Sequence, residues 1–147
     1  LVRNYFAGSL SKKFGVKEGT PLNDTLIEYC LKSDELGDPH ISSEHILNIG
    51  LCSFDELELI DEYALRINDI LRGIFYSIGI NLIDFKLEFG ICKKTKEVIP
   101  ADEISPDTCR LWDLKTNKKL DKDRFRRDLG DVEGAYQEVL ERLNIKS

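Results

Sequence analysis

Four ionisable residues, Asp84, Lys86, Glu88 and Asp102, have types and spacings that could carry chemistry. Three carboxylates around one lysine suit magnesium, a hard cation that takes oxygen ligands and shares them with phosphates. Lysine meets a phosphate oxygen as a point charge. A β-hairpin would bring the four together. Ile83, Phe85, Leu87, Phe89 and Ile91 are apolar, and Asp84, Lys86 and Glu88 fall between them. That period of two predicts a strand with one buried and one charged face. Residues 92–96 read as a polar loop and Glu97-Val98-Ile99 as the returning strand. A turn about Lys94 pairs residues whose numbers sum to roughly 188, so Glu97 faces Ile91, Ile99 faces Phe89 and Asp102 faces Lys86. Opposed residues share a face with Cβ atoms about 5 Å apart, and diagonal neighbours about 7–8 Å apart. Pro100 has no amide proton for the ladder, so an edge or bulge there shifts this register by one. A solvated strand face with alternating acids and lysines is the competing reading.

The candidate anion-binding residues lie elsewhere. Ser105-Pro106-Asp107 is a turn signal, and Arg110 follows it closely enough to be presented from a loop. Leu120-Asp-Lys-Asp-Arg-Phe-Arg-Arg127 holds guanidinium groups suited to bidentate phosphate contacts, although a solvated basic face explains it equally well. Near the start of the chain, Gly8 and Ser9 are placed to open a helix whose amides and hydroxyl receive an anion. The charge is uneven. The whole chain carries −6, whereas Arg110 to Arg127 carries eight basic residues against Asp113, Asp121 and Asp123. One basic segment in an acidic protein suits a small anionic ligand better than a nucleic-acid track. Phe125 and Trp112 are the only aromatic residues in that segment, too few for base stacking. No Gly-rich phosphate loop, nucleophile elbow or histidine triad is present, and the two histidines, His40 and His45, read as loop and helix residues.

The elements that must position these groups are legible in part. Ser53-Phe-Asp-Glu56 fits a capping box. After it, Leu57, Ile60, Tyr63 or Ala64, Ile67, Ile70 or Leu71, Ile74 and Ile78 recur at helical spacing, with Gly79 placed to end the helix. A shorter helix is predicted from Ser43 to Ile49, closed by Gly50. A last helix follows Gly130, with Val132, Ala135, Tyr136, Val139, Leu140 and Leu143 as its apolar stripe. Leu26 to Leu31 is a further strand candidate, and Leu1-Val2-Arg3 reads as the end of a strand already in progress, as in a fragment or a processed chain. Helices with an antiparallel sheet predict an α+β class. The 147 residues are enough for one domain with a substantial core. No apolar run is long enough to span a bilayer. The four cysteines, Cys30, Cys52, Cys92 and Cys109, have neither zinc nor disulfide spacing, so free thiols in a reducing cytoplasm are expected.

Taken in order, Arg3-Asn…Ala7-Gly-Ser-Leu10, Asp34-Glu-Leu-Gly-Asp-Pro39, Asp84-Phe-Lys-Leu-Glu-Phe-Gly90, Ala101-Asp-Glu-Ile-Ser-Pro-Asp107, Cys109-Arg-Leu-Trp-Asp113 and Leu120-Asp-Lys-Asp-Arg-Phe-Arg126 closely resemble the SAICAR synthetase (phosphoribosylaminoimidazole-succinocarboxamide synthase) family of purine biosynthesis. The resemblance implies an ATP- and Mg2+-dependent ligase that joins the carboxylate of carboxyaminoimidazole ribonucleotide to the amine of L-aspartate through an acyl phosphate. It implies that Glu88 and Asp102 hold the nucleotide's magnesium with Asp84 nearby, and that Lys86 contacts ATP or the transferred phosphate. Arg3, Ser9, Arg110 and Arg126, supported by Lys122 and Asp107, would bind the ribonucleotide and its 5′-phosphate. It further implies that residues 1–147 form a single substrate- and metal-binding lobe of ATP-grasp-like α+β character. The β-rich nucleotide-binding lobe that opens family members is missing from this sequence. A cytoplasmic location is expected, with no membrane or nucleic-acid partner, and homo-oligomerisation is left open. The runner-up reading is an inactive fragment that binds a phosphorylated ligand or only assembles with its other half.

Overall fold

A computed structural model describes the chain except residues 92, 93, 96, 102–107, 122, 124–129 and 145–147, and gives only the backbone of Ile91, Val132 and Asn144. The described elements are β1 (Val2–Tyr5), α1 (Gly8–Phe14), β2 (Pro21–Ile27), β3 (Tyr29–Cys30), β4 (His40–Ile41), α2 (Ser43–Ile49), α3 (Phe54–Ser77), β5 (Ile80–Phe85), β6 (Phe89–Ile91), β7 (Val98–Pro100), β8 (Cys109–Asp113) and α4 (Val132–Asn144). The expected α+β class holds. Every strand pair is antiparallel, with one four-stranded sheet in the order β2-β1-β5-β8 and two two-stranded sheets, β3-β4 and β6-β7.

The helix boundaries are set by local chemistry. At the head of α3, the Ser53 hydroxyl accepts from the Glu56 amide at 3.1 Å, and the Glu56 carboxylate accepts from the Ser53 amide at 2.9 Å. Two amides that a helix start leaves without partners are thereby satisfied. Ser42 and His45 form the same reciprocal box at α2, which places His45 on the helix surface as a cap. Gly50 ends α2 in the left-handed region, φ +82°, where a side chain would be strained.

α3 packs on one face of the four-stranded sheet, chiefly against β5. The main core lies there: Val2, Ile80, Leu82, Phe85, Cys109 and Leu111 of the sheet meet Ala64 and Phe75 of α3 and Ala135 and Val139 of α4. The buried line of α3 runs through Leu57, Ala64, Asn68 and Phe75. Of the expected pair Ile70 or Leu71, Leu71 packs against the core and Ile70 is exposed; Ile74 is exposed too, as are Leu140 and Leu143 of α4. Asn68 is wholly enclosed because its amide is matched. It exchanges hydrogen bonds with Asn4 at 2.8 and 3.1 Å and donates to the Thr25 hydroxyl at 3.4 Å. Arg142 of α4 joins three elements: it donates to Asp113 at 2.7 Å, to Glu138 at 3.0 Å and to the carbonyls of Ile78 and Gly79. The Asp113 carboxyl is held well below the usual carboxylate range, first by Arg142 and then by backbone amides.

Two strand expectations are corrected. The predicted continuous strand through residue 91 is broken. β5 ends at Phe85 within the large sheet, and β6 pairs only with β7. Phe89 lies opposite Pro100, Gly90 opposite Ile99 and Ile91 opposite Val98, one residue away from the expected register. The proline edge is the physical reason, since Pro100 offers no amide to the pairing. The period of two also fails inside β5. A bulge between Leu82 and Asp84 sends Leu82 and Phe85 into the main core, while Ile83 packs with Tyr5, Ala7 and Trp112 in a second cluster.

Candidate functional site

The bulge at Ile83 has a chemical result: it turns Asp84 toward the sheet face opposite α3. There Arg3 of β1 and Arg110 of β8 are its direct cross-strand neighbours. Three charged residues from three strands thus form one row. Arg3 donates to Asp84 Oδ2 at 3.3 Å, and Arg110 Nη1 donates to both Asp84 oxygens at 3.2 and 3.1 Å. Arg110 Nε donates to Asp123 at 2.8 Å, and Arg3 Nε is paired with Glu28. The side chains of Arg3, Asp84 and Asp123 are at most 5% exposed and that of Arg110 is 13% exposed. Charges so enclosed are tolerable only when paired and hydrogen-bonded. Burial opposes the Arg110 charge, but Asp84 and Asp123 outweigh it and its pKa is raised.

α1 closes over this row. Arg3 Nη2 donates to the Ser9 hydroxyl at 3.2 Å, and Nη1 donates to the Ala7 carbonyl at 3.3 Å. Gly8 lies against Arg110: a Cβ there would stand 2.5 Å from Nη2 and 2.8 Å from Cζ. The close approach and a φ of +54° both require glycine. Arg3 is thereby bonded to Ser9, six residues on, and Arg110, distant in sequence, lies against the neighbouring Gly8. The Gly8 amide donates to Glu18 at 3.0 Å, so a carboxylate of the chain itself occupies the anion position expected there. Arg126, Lys122 and Asp107, expected beside them, lie outside the described residues.

Lys86 and Glu88 follow β5 rather than extending it, so Asp84 does not share a strand face with them. Their short segment is pinned at both ends. The Lys86 amide donates to the Thr108 carbonyl at 2.9 Å, and the Glu88 carbonyl accepts from Ala101 at 2.7 Å. The second bond brings the chain that leads into Asp102 beside Glu88; Asp102 itself is outside the described residues. Glu88 sits between two ammonium groups, Lys32 at 2.5 Å and Lys86 at 3.2 Å. Lys32 foremost, then Lys86, hold its carboxyl below the usual range. Lys32 is 73% exposed, so these pairs fix geometry more than they add stability.

Lys32, Lys86 and Glu88 share a cleft of about 600 Å³ with Glu28 and apolar walls that include Ile27, Leu57, Leu87 and Phe89. Glu28 links the two regions, lining the cleft while holding Arg3. Across the cleft, the Tyr29 hydroxyl donates to Asp61; burial, then that contact, push its pKa well above the ordinary value. Glu88 supplies hard oxygen donors of the kind magnesium takes, but both oxygens are engaged by ammonium groups, which a metal ion would have to displace. Among the described residues no three of His, Cys, Asp and Glu cluster to hold a metal, and Asp102, the other expected ligand, lies outside them.

Sequence reasoning missed Lys32, Glu28 and Asp123. Lys32 lies 56 residues from Glu88, and nothing local marks it. Asp123 stands inside a run read for its basic residues, where its part as the Arg110 counter-ion carries no signal. Cys30, Cys52 and Cys109 form no disulfide among the described residues, and Cys92 is outside them. No helix among the described residues is long and apolar enough to cross a membrane.

Comparison with known proteins converges on one group. A family model described as SAICAR synthetase matches residues 1–143. The phosphoribosylaminoimidazole-succinocarboxamide synthase of Sphingopyxis alaskensis is 58% identical over 147 residues, covering 99% of this chain and 57% of that protein. The crystal structure of the synthase from Ehrlichia chaffeensis superposes with a TM-score of 0.94 at 50% identity, over 97% of this chain and 61% of that one. A type-2 SAICAR synthetase in complex with ADP superposes with a TM-score of 0.93 at 48% identity, over 99% of this chain and 62% of that one. The chain thus spans a little over half the length of the curated relative.

Proposed function

This chain belongs to the SAICAR synthetase family, and we propose that it forms the substrate- and metal-binding lobe of a cytoplasmic carbon–nitrogen ligase of purine biosynthesis. In this reading ATP phosphorylates the carboxylate of carboxyaminoimidazole ribonucleotide. The amine of L-aspartate then attacks the acyl phosphate, forming the amide bond and releasing phosphate. Catalysis of this kind is mainly positioning and electrostatic stabilisation. The observation that carries the reading is the convergence of Arg3, Ser9 and Arg110 on one buried row, held by Asp84 and closed by Gly8.

The roles follow from the surroundings. Arg3, Ser9 and Arg110 bind the ribonucleotide phosphate, which the chemistry never alters, with Arg126, Lys122 and Asp107 completing that site. Asp84, expected beside the metal, serves as the shared counter-ion that aims both arginines. The apolar cleft takes the nucleotide base, and Lys86, with Lys32, meets its phosphates. Support comes from the joint presence of apolar walls, Lys86 and Glu88 in one cleft, and from the ADP complex of a relative. Glu88 and Asp102 would hold Mg2+, which offsets negative charge on the phosphates.

The test is a calorimetric titration of the chain with the ribonucleotide and, separately, with ADP and Mg2+. Arg110→Ala should abolish ribonucleotide binding and leave ADP binding intact, whereas Glu88→Gln should weaken only the Mg2+-dependent part of ADP binding. Swapped effects would exchange the two sites. Because the chain spans 57% of its curated relative, binding of both ligands without turnover by these 147 residues is expected. Steady succinocarboxamide formation from ATP, aspartate and the ribonucleotide would refute that part, and binding without turnover in every context would favour a ligand-binding or assembly module.

A further inference from the structure

We infer that Asp121 is a positioning residue for Arg110, its carboxylate closing a hydrogen-bonded ring that fixes where the guanidinium points. The inference rests on the reading of Arg110 as a phosphate-binding group. Asp121 is wholly buried, and its two oxygens do separate work. Oδ2 accepts from the amide of Leu111, the residue after Arg110, at 2.6 Å. Oδ1 accepts from the amide of Asp123 at 2.8 Å. Asp123 in turn accepts from Arg110 Nε at 2.8 Å. The ring therefore runs from the Arg110 backbone through Leu111, Asp121 and Asp123 to the Arg110 side chain. The Leu120 amide, donating to the Leu111 carbonyl at 2.8 Å, holds the same two segments together.

The chemistry explains why a carboxylate stands there. Two amide donors converge on one small side chain, and only a group that accepts through both of its ends satisfies them. Asparagine would turn an NH2 toward one of the N–H groups, and serine would reach only one amide. The charge is costly in this enclosure. Burial pushes the Asp121 pKa up to about 6 despite the two amide bonds, with Asp123 adding to the rise and Arg110 opposing it. The two amides held belong to the neighbour of Arg110 and to its counter-ion, so what Asp121 fixes is the direction of Arg110. With Nη1 on Asp84 and Nε on Asp123, that direction leaves Nη2 against Gly8 at the mouth of α1.

Ribose 5-phosphate is the probe, titrated calorimetrically into the chain, with ADP and Mg2+ as the control ligand and thermal unfolding as the control for fold. Asp121→Asn should weaken ribose 5-phosphate binding by on the order of tenfold, as expected when a charge-assisted contact is misaimed. ADP binding should not change. In an Arg110→Ala background Asp121→Asn should cause no further loss, a non-additivity that general loosening of the fold does not produce. Asp123→Ala removes the acceptor of Arg110 Nε, which cuts the ring at its other side, and should show the same selective loss, keeping the idea testable if Asp121→Asn fails to fold. Unchanged ribose 5-phosphate affinity in either folded variant, or a further loss without Arg110, would overturn the positioning role while leaving the phosphate site standing. Failure of the unaltered chain to bind ribose 5-phosphate would overturn the phosphate site and this role with it.

Discussion

Replacing Gly8 by alanine should damage this protein out of proportion to one methyl group. The added Cβ would stand 2.5 Å from Arg110 Nη2, where ordinary contact begins near 3.4 Å. The guanidinium must therefore retreat by about 1 Å, beyond what a charge-assisted hydrogen bond tolerates. It cannot retreat without loosening its 3.1 and 3.2 Å contacts to Asp84 or its 2.8 Å contact to Asp123. Losing one such bond costs about 1.5–3 kcal/mol. The φ of +54° adds about 1–2 kcal/mol for a residue with a side chain. The total is about 2.5–5 kcal/mol, or roughly 5–20 °C in Tm for a chain of this size. Gly15→Ala is the internal control: its φ is +64°, and a Cβ there meets nothing within 4 Å. That variant should show the conformational cost alone, about 1–2 kcal/mol. Thermal unfolding followed by circular dichroism compares the two directly. If Gly8→Ala is no less stable than Gly15→Ala, the guanidinium is not confined as described, and the buried row is looser than its distances state.

Three further outcomes are expected. Asp121 has its pKa raised to about 6 from an ordinary 3.8, so the folded state holds its proton more tightly than the unfolded chain. Its contribution to stability is full below about pH 3.8 and lost as pH rises through 6, and urea titrations should show Asp121→Asn flattening that decline by about 2–3 kcal/mol; an equally steep decline in the variant would show that Asp121 does not carry it. Asn68→Leu removes two bonds of the Asn4 amide, leaving it those with the Leu82 carbonyl and the Thr25 hydroxyl, and should cost about 1–3 kcal/mol in urea unfolding; a change under about 1 kcal/mol would show the amide pair to be expendable. Arg142→Ala should cost only about 1–2 kcal/mol, since its pairs are partly solvated, but hydrogen exchange should speed up in the last turn of α3, whose Ile78 carbonyl it holds.

What could be read from the sequence was local. Ser53 and Glu56, three residues apart, announce a helix start by themselves, and Gly50 and Gly79 announce helix ends. The family motifs singled out Arg3, Ser9 and Arg110 together, and the fold brings them together. Readings that depended on distant partners did less well. Alternation placed Ile83 and Phe85 on one face, because a bulge in β5 is decided by its pairing with β8 and not by its own side chains. Periodicity placed Ile74 in the stripe and passed over Asn68, because the polar partners that allow an asparagine into the core lie on β1 and β2. Asp84 was grouped with Glu88 by proximity in sequence, and the end of β5 at Phe85 separates them. Lys32 and Glu28 were not found at all, since their partners are 56 and 25 residues away.

The row of Arg3, Asp84 and Arg110 also has a consequence in time. Arg3 and Asp84 are separated by 81 residues, an interval of about 4–16 s at synthesis rates of roughly 5–20 residues per second. β1 and β2 are adjacent in sequence and can pair early, but until β5 arrives the far side of β1 is an open edge. An open edge invites any passing strand until it is covered. Arg3 already has one carboxylate partner in Glu28, just beyond β2, so what the arrival of β5 adds is the second, Asp84. A strand slipped by one residue would turn Asp84 to the other face and leave that second position empty.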